Sequence, residues 1–223
     1  MITDDPGTPG NGHWENNFAI TLAHRPDETV IGSPLMDLNY GWGNHIQLTL
    51  QTPLTILERS GHGPLAGLGG TEAAVKWRFI DEETSGFALS TFPRLVFTIV
   101  HSSVRRGLAD DGTRFQIPVE VSKKIGSVEI GGECGPLASS VGRSEWIYGA
   151  VGGAELSDAT ELMAELNGTS RMSFGQDTLT LNFGVRQKLS KHSVLIVSLG
   201  HDVRAPDDEP LALVGYFGLQ LLY

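Results

Sequence analysis

Apolar and polar residues alternate with a period of two along almost the whole chain, and the three-and-four spacing of an amphipathic helix is scarce. Phe18, Ile20 and Leu22 alternate with Asn17, Ala19 and Thr21, and Met36, Leu38, Tyr40 and Trp42 with Asp37, Asn39 and Gly41. Ile46, Leu48 and Leu50 follow, then Ala73, Val75, Trp77 and Phe79 against Glu72, Lys76 and Arg78. A fifth strand is predicted from about Phe87 to Val100 with Arg94 inside it, and a sixth carries Phe115, Ile117, Val119 and Val121 opposite Arg114, Gln116 and Glu120. The second half repeats the pattern: Val128 and Ile130, Trp146 and Tyr148, Leu162 to Leu166, Leu179 to Val185, and Leu195 to Leu199 each mark an apolar face. The final run, Leu211 to Tyr223, is almost wholly apolar and ends on an aromatic. It is too short for a membrane helix, which needs about 20 residues, but suits a tilted membrane β-strand of roughly 9–11. About twelve strands are predicted in all.

The connections carry more information than the strands. Short turns at Gly43-Asn44, 81–85, 124–127, Ser157-Asp158 and 190–192 alternate with longer segments at 25–34, 58–70, 101–113, 135–144, 168–177 and 203–210, rich in Gly, Pro, Asp and Ser. Every short turn follows an even-numbered strand. Tight turns at one end and longer loops at the other are the rule for outer-membrane barrels. The fold class expected is therefore all-β: one antiparallel up-and-down transmembrane β-barrel with both termini periplasmic. It would occupy residues 14–223. Residues 1–13, rich in Gly, Asp and Pro, read as a flexible N-terminal leader, with a short plug as the alternative.

Strand parity puts Glu72, Lys76, Arg78, Arg94, Arg114, Glu120, Glu129, Glu133, Glu155, Glu161, Glu165, Arg186 and Lys188 opposite the apolar face. In a membrane barrel these are lumen residues and candidates for solute selectivity, because charges on the lipid side would cost several kcal/mol near the midplane. Arg78 and Arg94 read as a basic wall facing an acidic one of Glu120, Glu129 and Glu133. A soluble barrel would invert the pattern, with charges outside and an apolar core. Trp42, Trp77, Phe79, Trp146, Tyr148 and Tyr223 lie on the apolar face near strand ends, as interfacial girdles do.

Composition agrees with this pattern without deciding it. A mean hydropathy near zero fits a chain whose strands are greasy on one side only. The net charge of −10, with no basic patch, argues against a nucleic-acid partner. The single cysteine, Cys134, leaves no internal disulfide and reads as a small strand residue, while seven scattered histidines offer no metal cluster. No metal and no cofactor is expected. The first residues lack a basic region followed by an apolar one, so the chain reads as an exported protein whose signal peptide has been removed.

The segment from Leu38 to Pro53, with Tyr40-Gly41, a Gly43-Asn44 turn, an alternating strand and a proline, resembles a hairpin of the outer-membrane family named for the MetA pathway of phenol degradation. The Gly-rich lead from Gly67 into Lys76-Trp-Arg-Phe79 is similar to the same family, as are Ala154 to Thr160 and Phe183 to Leu189. The resemblance covers most of the chain from about residue 14. It implies a bacterial outer-membrane barrel, described as transporter-like, for small hydrophobic or aromatic solutes, with no catalytic residues to carry over. Tyr216, Gly218, Leu221 and Tyr223 also resemble the signal by which the barrel-assembly machinery recognises its clients.

The function expected is a channel or transporter for small solutes through a charge-lined lumen, its partners being the outer-membrane lipid, the solute and the assembly machinery. Two alternatives stand beside it. One is a plugged structural or adhesive barrel whose loops at 58–70 and 101–113 bind a partner. The other, less favoured, is an outer-membrane lipid hydrolase. His101-Ser102-Ser103 and His201-Asp202 could supply a base and nucleophile, but no Gly-x-Ser-x-Gly elbow is present.

Overall fold

The computed structural model describes residues 1–175, 177–205 and 210–223. It holds fifteen strand segments in one antiparallel sheet. They are β1 (Trp14–Arg25), β2 (Glu28–Trp42), β3 (Ile46–Arg59), β4 (Leu65–Leu68), β5 (Thr71–Ile80), β6 (Ala88–Thr91), β7 (Arg94–Phe97), β8 (Arg114–Gln116), β9 (Val119–Ile125), β10 (Val128–Ser139), β11 (Glu145–Ser157), β12 (Thr160–Arg171), β13 (Thr178–Ser190), β14 (Ser193–Arg204) and β15 (Leu213–Leu222). Two short helices, α1 (Glu82–Ser85) and α2 (His101–Arg105), lie in connections. The sheet closes on itself where β1 pairs with β15, from Glu15↔Leu222 to His24↔Leu213. With β4–β5, β6–β7 and β8–β9 each forming one broken stave, the barrel has the expected twelve strands.

Proline causes two of the three breaks. Pro93 and Pro118 interrupt staves five and six because a proline has no N–H to give the ladder. Their carbonyls still accept: Val75 N–H donates to Pro93 O and Phe92 N–H to Pro118 O, both at 3.1 Å. Side-chain parity therefore survives each break. The fifth predicted strand is thus two segments, not one.

Burial decides which face is out. Asn39, Gln47, Lys76, Glu120, Glu165, Asn182 and Gln220 are buried, while Phe18, Leu50, Val75, Val121, Ile130, Leu166, Phe183, Leu199 and Phe217 are exposed. In water that outer band would be a large apolar liability; against lipid it is matched. The inverted, soluble arrangement is excluded. Strands of 12–15 residues, such as β1 and β2, rise about 3.4 Å per residue and, tilted about 40°, cover roughly 31–39 Å of barrel height. That exceeds a hydrocarbon layer of about 30 Å. Trp14, Trp42, Trp77, Phe79 and Tyr223 project outward close to the end that carries the short turns.

The loop end departs from expectation. The predicted long loop at 25–34 is a turn of Pro26 and Asp27, because β2 already begins at Glu28. Likewise β3 runs to Arg59, β10 to Ser139 and β12 to Arg171, each projecting beyond the apolar band. Backbone pairing continues there without the lipid-facing residues that made the alternation visible. The 203–210 segment lies partly outside the described residues. The 98–113 connection keeps its length and folds on itself, with Ser103 and Leu108 buried and the Thr98 hydroxyl donating to Asp110 O at 3.0 Å.

Residues 1–13 thread the bore from the turn end. Gly12 N–H donates to Gly41 O and Gly41 N–H to His13 O, both at 2.9 Å. The approach needs glycine: a Cβ on Gly41 would lie 1.8 Å from Gly10 O. Farther along, Pro6 and Thr3 are buried.

Candidate functional site

The bore is held by a charge cluster on four neighbouring staves. Lys76 of β5 and Arg94 of β7 point inward beside Glu120 of β9 and Glu133 of β10. Lys76 Nζ lies 2.8 Å from Asp4 and 3.6 Å from Glu120, and Arg94 Nη2 lies 3.3 Å from Asp4 and 3.5 Å from both Glu120 and Glu133. Lys76 also donates to Asp5 O, and the Ser90 hydroxyl donates to Glu120 at 2.6 Å. The Phe92 ring sits under both cations, with Lys76 Nζ 4.6 Å and Arg94 Cζ 4.3 Å from its centroid. Such a cluster is stable only if every member is compensated, since an unpaired buried ion costs several kcal/mol. The two cations sit on neighbouring staves, four and five, and the two carboxylates on the next two, six and seven, so the opposite signs lie side by side along the wall. The basic wall facing an acidic wall, expected from the sequence, is not the arrangement found.

Across the bore, Glu165 of β12 takes the start of the chain. Its carboxylate accepts from Ile2 N–H at 2.8 and 2.9 Å, from Thr3 N–H at 2.8 Å and from the Asn182 amide at 3.1 Å. Opposite Thr3 the wall carries Gly149, where a Cβ would lie 2.2 Å from the Thr3 hydroxyl. The leader segment is thus tied at both sides of the bore, through Glu165 and through Asp4.

Beside this segment runs a cavity of about 590 Å³, lined by Asp5, Glu15, Asn17, Asp37, Asn39, Gln47, Thr49, Gln51, Glu72, Glu129, Glu161, Arg186, Tyr216 and Gln220, with Leu35, Met163 and Ile196 among the few apolar members. Gln47 and Thr49 both donate to Asn39 Oδ1, at 2.8 and 2.6 Å, so part of this wall is a fixed polar network. Arg186 donates to Gln220 at 3.2 Å and lies 4.0 Å from Glu161.

Of the thirteen residues predicted to line the lumen, Lys76, Arg94, Glu120 and Glu133 are brought together, Glu165 holds the leader, Glu72, Glu129, Glu161 and Arg186 border the cavity, and Lys188 is exposed beside the turns, its backbone N–H donating to Ala159 O at 2.8 Å. Three lie elsewhere. Arg78 clamps the turn end, 2.7 Å from Asp81 and donating to Asn44 O at 2.9 Å. Arg114 pairs with Asp110 at the loop end, and Glu155 pairs with Lys124 at 2.8 Å among exposed residues near the turns. Parity had placed all three on the correct face; it carries no information about height along the barrel.

Asp4, Glu15 and Asp37 were missed. Asp37 alternates with Met36 and Leu38, so parity could have found it. Glu15 precedes the first apolar repeat, and Asp4 lies in a segment without any periodicity. The hydrolase reading gains no geometry: His201 Nδ1 contacts Asp202 O at 3.1 Å, and neither His101 nor His201 bonds a serine hydroxyl among the described residues.

No family model matches the chain. No curated protein matches it by sequence. Solved structures do match in fold. The COG4313 outer membrane channel from Pseudomonas putida F1 superposes with a TM-score of 0.79 over 100% of both chains at 12% identity. The KdgM porin gives 0.65 at 10% identity, covering 93% of this chain and 98% of that one, and the NanC porin gives 0.64 at 6% identity over the same shares. At such identities the likeness establishes the fold, a twelve-stranded barrel of the outer-membrane type.

Proposed function

We propose that this chain is an outer-membrane channel for small hydrophilic solutes. The single observation that carries the reading is the inside-out burial of a closed barrel: apolar side chains face outward and a polar cavity of about 590 Å³ runs inside. Twelve staves set a bore between the eight-stranded barrels that side chains fill and the 16-stranded aqueous porins. The turn end, where Trp14 and Tyr223 meet through backbone bonds of 3.0 Å, faces the periplasm in this reading, and β15 is the strand that the assembly machinery would engage. Residues 1–13 then form an internal plug entering from the periplasmic side, and their displacement governs the free cross-section. The structural neighbours named as channels and porins support the reading.

The lining favours hydrophilic solutes over the hydrophobic or aromatic ones implied by the family resemblance. Asn, Gln, Thr and carboxylate side chains dominate it, and an apolar solute would strip them of water without replacing their hydrogen bonds. The test is liposome swelling with refolded protein and neutral polyols of increasing size. Passage that falls with solute size supports the channel. Impermeability to the smallest polyol, with a folded barrel, favours the plugged structural or adhesive alternative.

A further inference from the structure

Among the described residues the cations of the bore are all taken, and several of its carboxylates are not. Lys76 and Arg94 are held by Asp4, Glu120 and Glu133, and Arg186 faces Glu161. Among the described residues no Lys, Arg or His nitrogen lies within 4.0 Å of Glu15, Asp37, Glu72 or Glu129. Three of these four carboxylates belong to one side of the bore. Register aligns Asn17↔Asp37↔Gln51↔Glu72 as a single inward row across β1, β2, β3 and β5, and Glu15↔Asn39↔Thr49 as the next row toward the turn end.

A second observation points to a ligand there. Asn17 is only 8% exposed and lines the cavity, its Nδ2 donates to Asp37 at 2.9 Å, and its Oδ1 has no partner. Donation to a carboxylate fixes the amide orientation, so the free atom is the acceptor. A buried acceptor without a donor is an uncompensated cost unless something supplies one. What is missing on this wall is therefore a donor that is also a cation.

Its size follows from the sheet. Asp37 and Glu72 are two strands apart, about 10 Å at the roughly 4.8 Å interstrand spacing, and Glu15 is a diagonal neighbour of Asp37 at about 7–8 Å. A single metal ion binds oxygens at 2.0–2.6 Å and cannot be shared across that span, and no group of three or more His, Cys, Asp or Glu side chains is spaced for one among the described residues. An elongated organic cation with a charge at each end fits the row, its ammonium groups at Asp37 and Glu72 and one N–H reaching Asn17.

Resting on the channel reading of the bore, we infer that the Asn17–Asp37–Gln51–Glu72 row with Glu15 is a docking site for small organic dications of the diamine class, which makes the solute path cation-preferring. The KdgM porin, solved in complex with oligogalacturonate, shares the barrel. A polyanion would meet unneutralised carboxylates here.

Calorimetric titration of the full chain in detergent tests this with three five-carbon probes: 1,5-diaminopentane, the neutral 1,5-pentanediol and the dianion glutarate. The diamine should bind at least about tenfold more tightly than the diol, glutarate should not bind, and the preference should weaken with salt. Asp37→Asn combined with Glu72→Gln should remove the diamine preference. Asp110→Asn and Asp111→Asn, acidic positions in an exposed loop, should leave it intact and so separate the site from general attraction to an acidic protein. Absence of diamine binding, equal binding of the diol, or binding that survives Asp37→Asn/Glu72→Gln overturns the inference. Polyol swelling reads the channel separately: a barrel that binds the diamine but passes nothing keeps the site and loses the path, and the converse loses only the site.

Discussion

Replacing Glu165 by Gln should loosen the leader from the bore. The Glu165 carboxylate accepts three contacts of 2.8–2.9 Å from the Ile2 and Thr3 amides. Gln removes the charge and leaves one acceptor oxygen, and its NH₂ would confront an amide donor. A hydrogen bond to a charged acceptor contributes about 1.5–3 kcal/mol net, against roughly 0.5–1.5 for a neutral one. Weakening two donors in this way costs about 2–4 kcal/mol, or on the order of 30- to 1000-fold in the docked-to-released ratio. The assay is the labelling rate of Thr3→Cys by a membrane-impermeant thiol reagent, in a Cys134→Ala background. Thr3 is buried in the docked state, so labelling reports release. The rate should rise at least tenfold in the Glu165→Gln protein. Equal rates in two folded barrels would refute the assignment of Glu165 as the anchor.

Other outcomes follow from the same contacts. Lys76→Met leaves Glu120, which has no exposed surface, and Asp4 to share Arg94 as their one remaining cation, and should cost about 3–5 kcal/mol of stability, read as a lower urea midpoint; adding Glu120→Gln should recover part of the loss. Leu219→Arg puts a charge on the exposed apolar face of β15 and should cost about 2–4 kcal/mol, read as refolding yield into lipid vesicles; an unaffected yield would contradict the lipid-facing assignment. Arg78→Ala breaks the clamp to Asp81 and Asn44 at the turn end, and with both partners partly exposed it should cost about 1 kcal/mol or less while leaving polyol permeability unchanged.

The barrel was legible because lipid on one side and polar bore on the other impose a period of two on every stave, as in Leu179 to Val185 against Thr180 and Asn182. Turn rhythm added the closure. Where one of these constraints lapses, the sequence falls silent. Strands beyond the apolar band, such as Glu28 to Ile31, are held by backbone pairing and by polar cross-strand contacts such as Glu28 with Arg59 at 2.7 Å, and looked like loop. Pro93 and Pro118 broke staves without disturbing parity, so the breaks stayed hidden. Parity found the inward face but could not tell Arg94, in the central cluster, from Arg78 at the rim. The leader is the deepest gap. Asp4 and Thr3 lie in a stretch of Gly and Pro whose place in the bore depends on Lys76 and Glu165, far away in the chain and recognisable as partners only in three dimensions.

Single-channel recording in planar bilayers, comparing the wild-type chain with Gly149→Val, tests the channel most directly. A valine at Gly149 collides with Thr3, whose hydroxyl would be 2.2 Å from even a Cβ, and should displace the leader while leaving the staves paired. Discrete conductance steps should appear in both proteins and be larger or more frequent in Gly149→Val. Silence in both, with each shown to be folded and inserted, would contradict a solute path through this barrel.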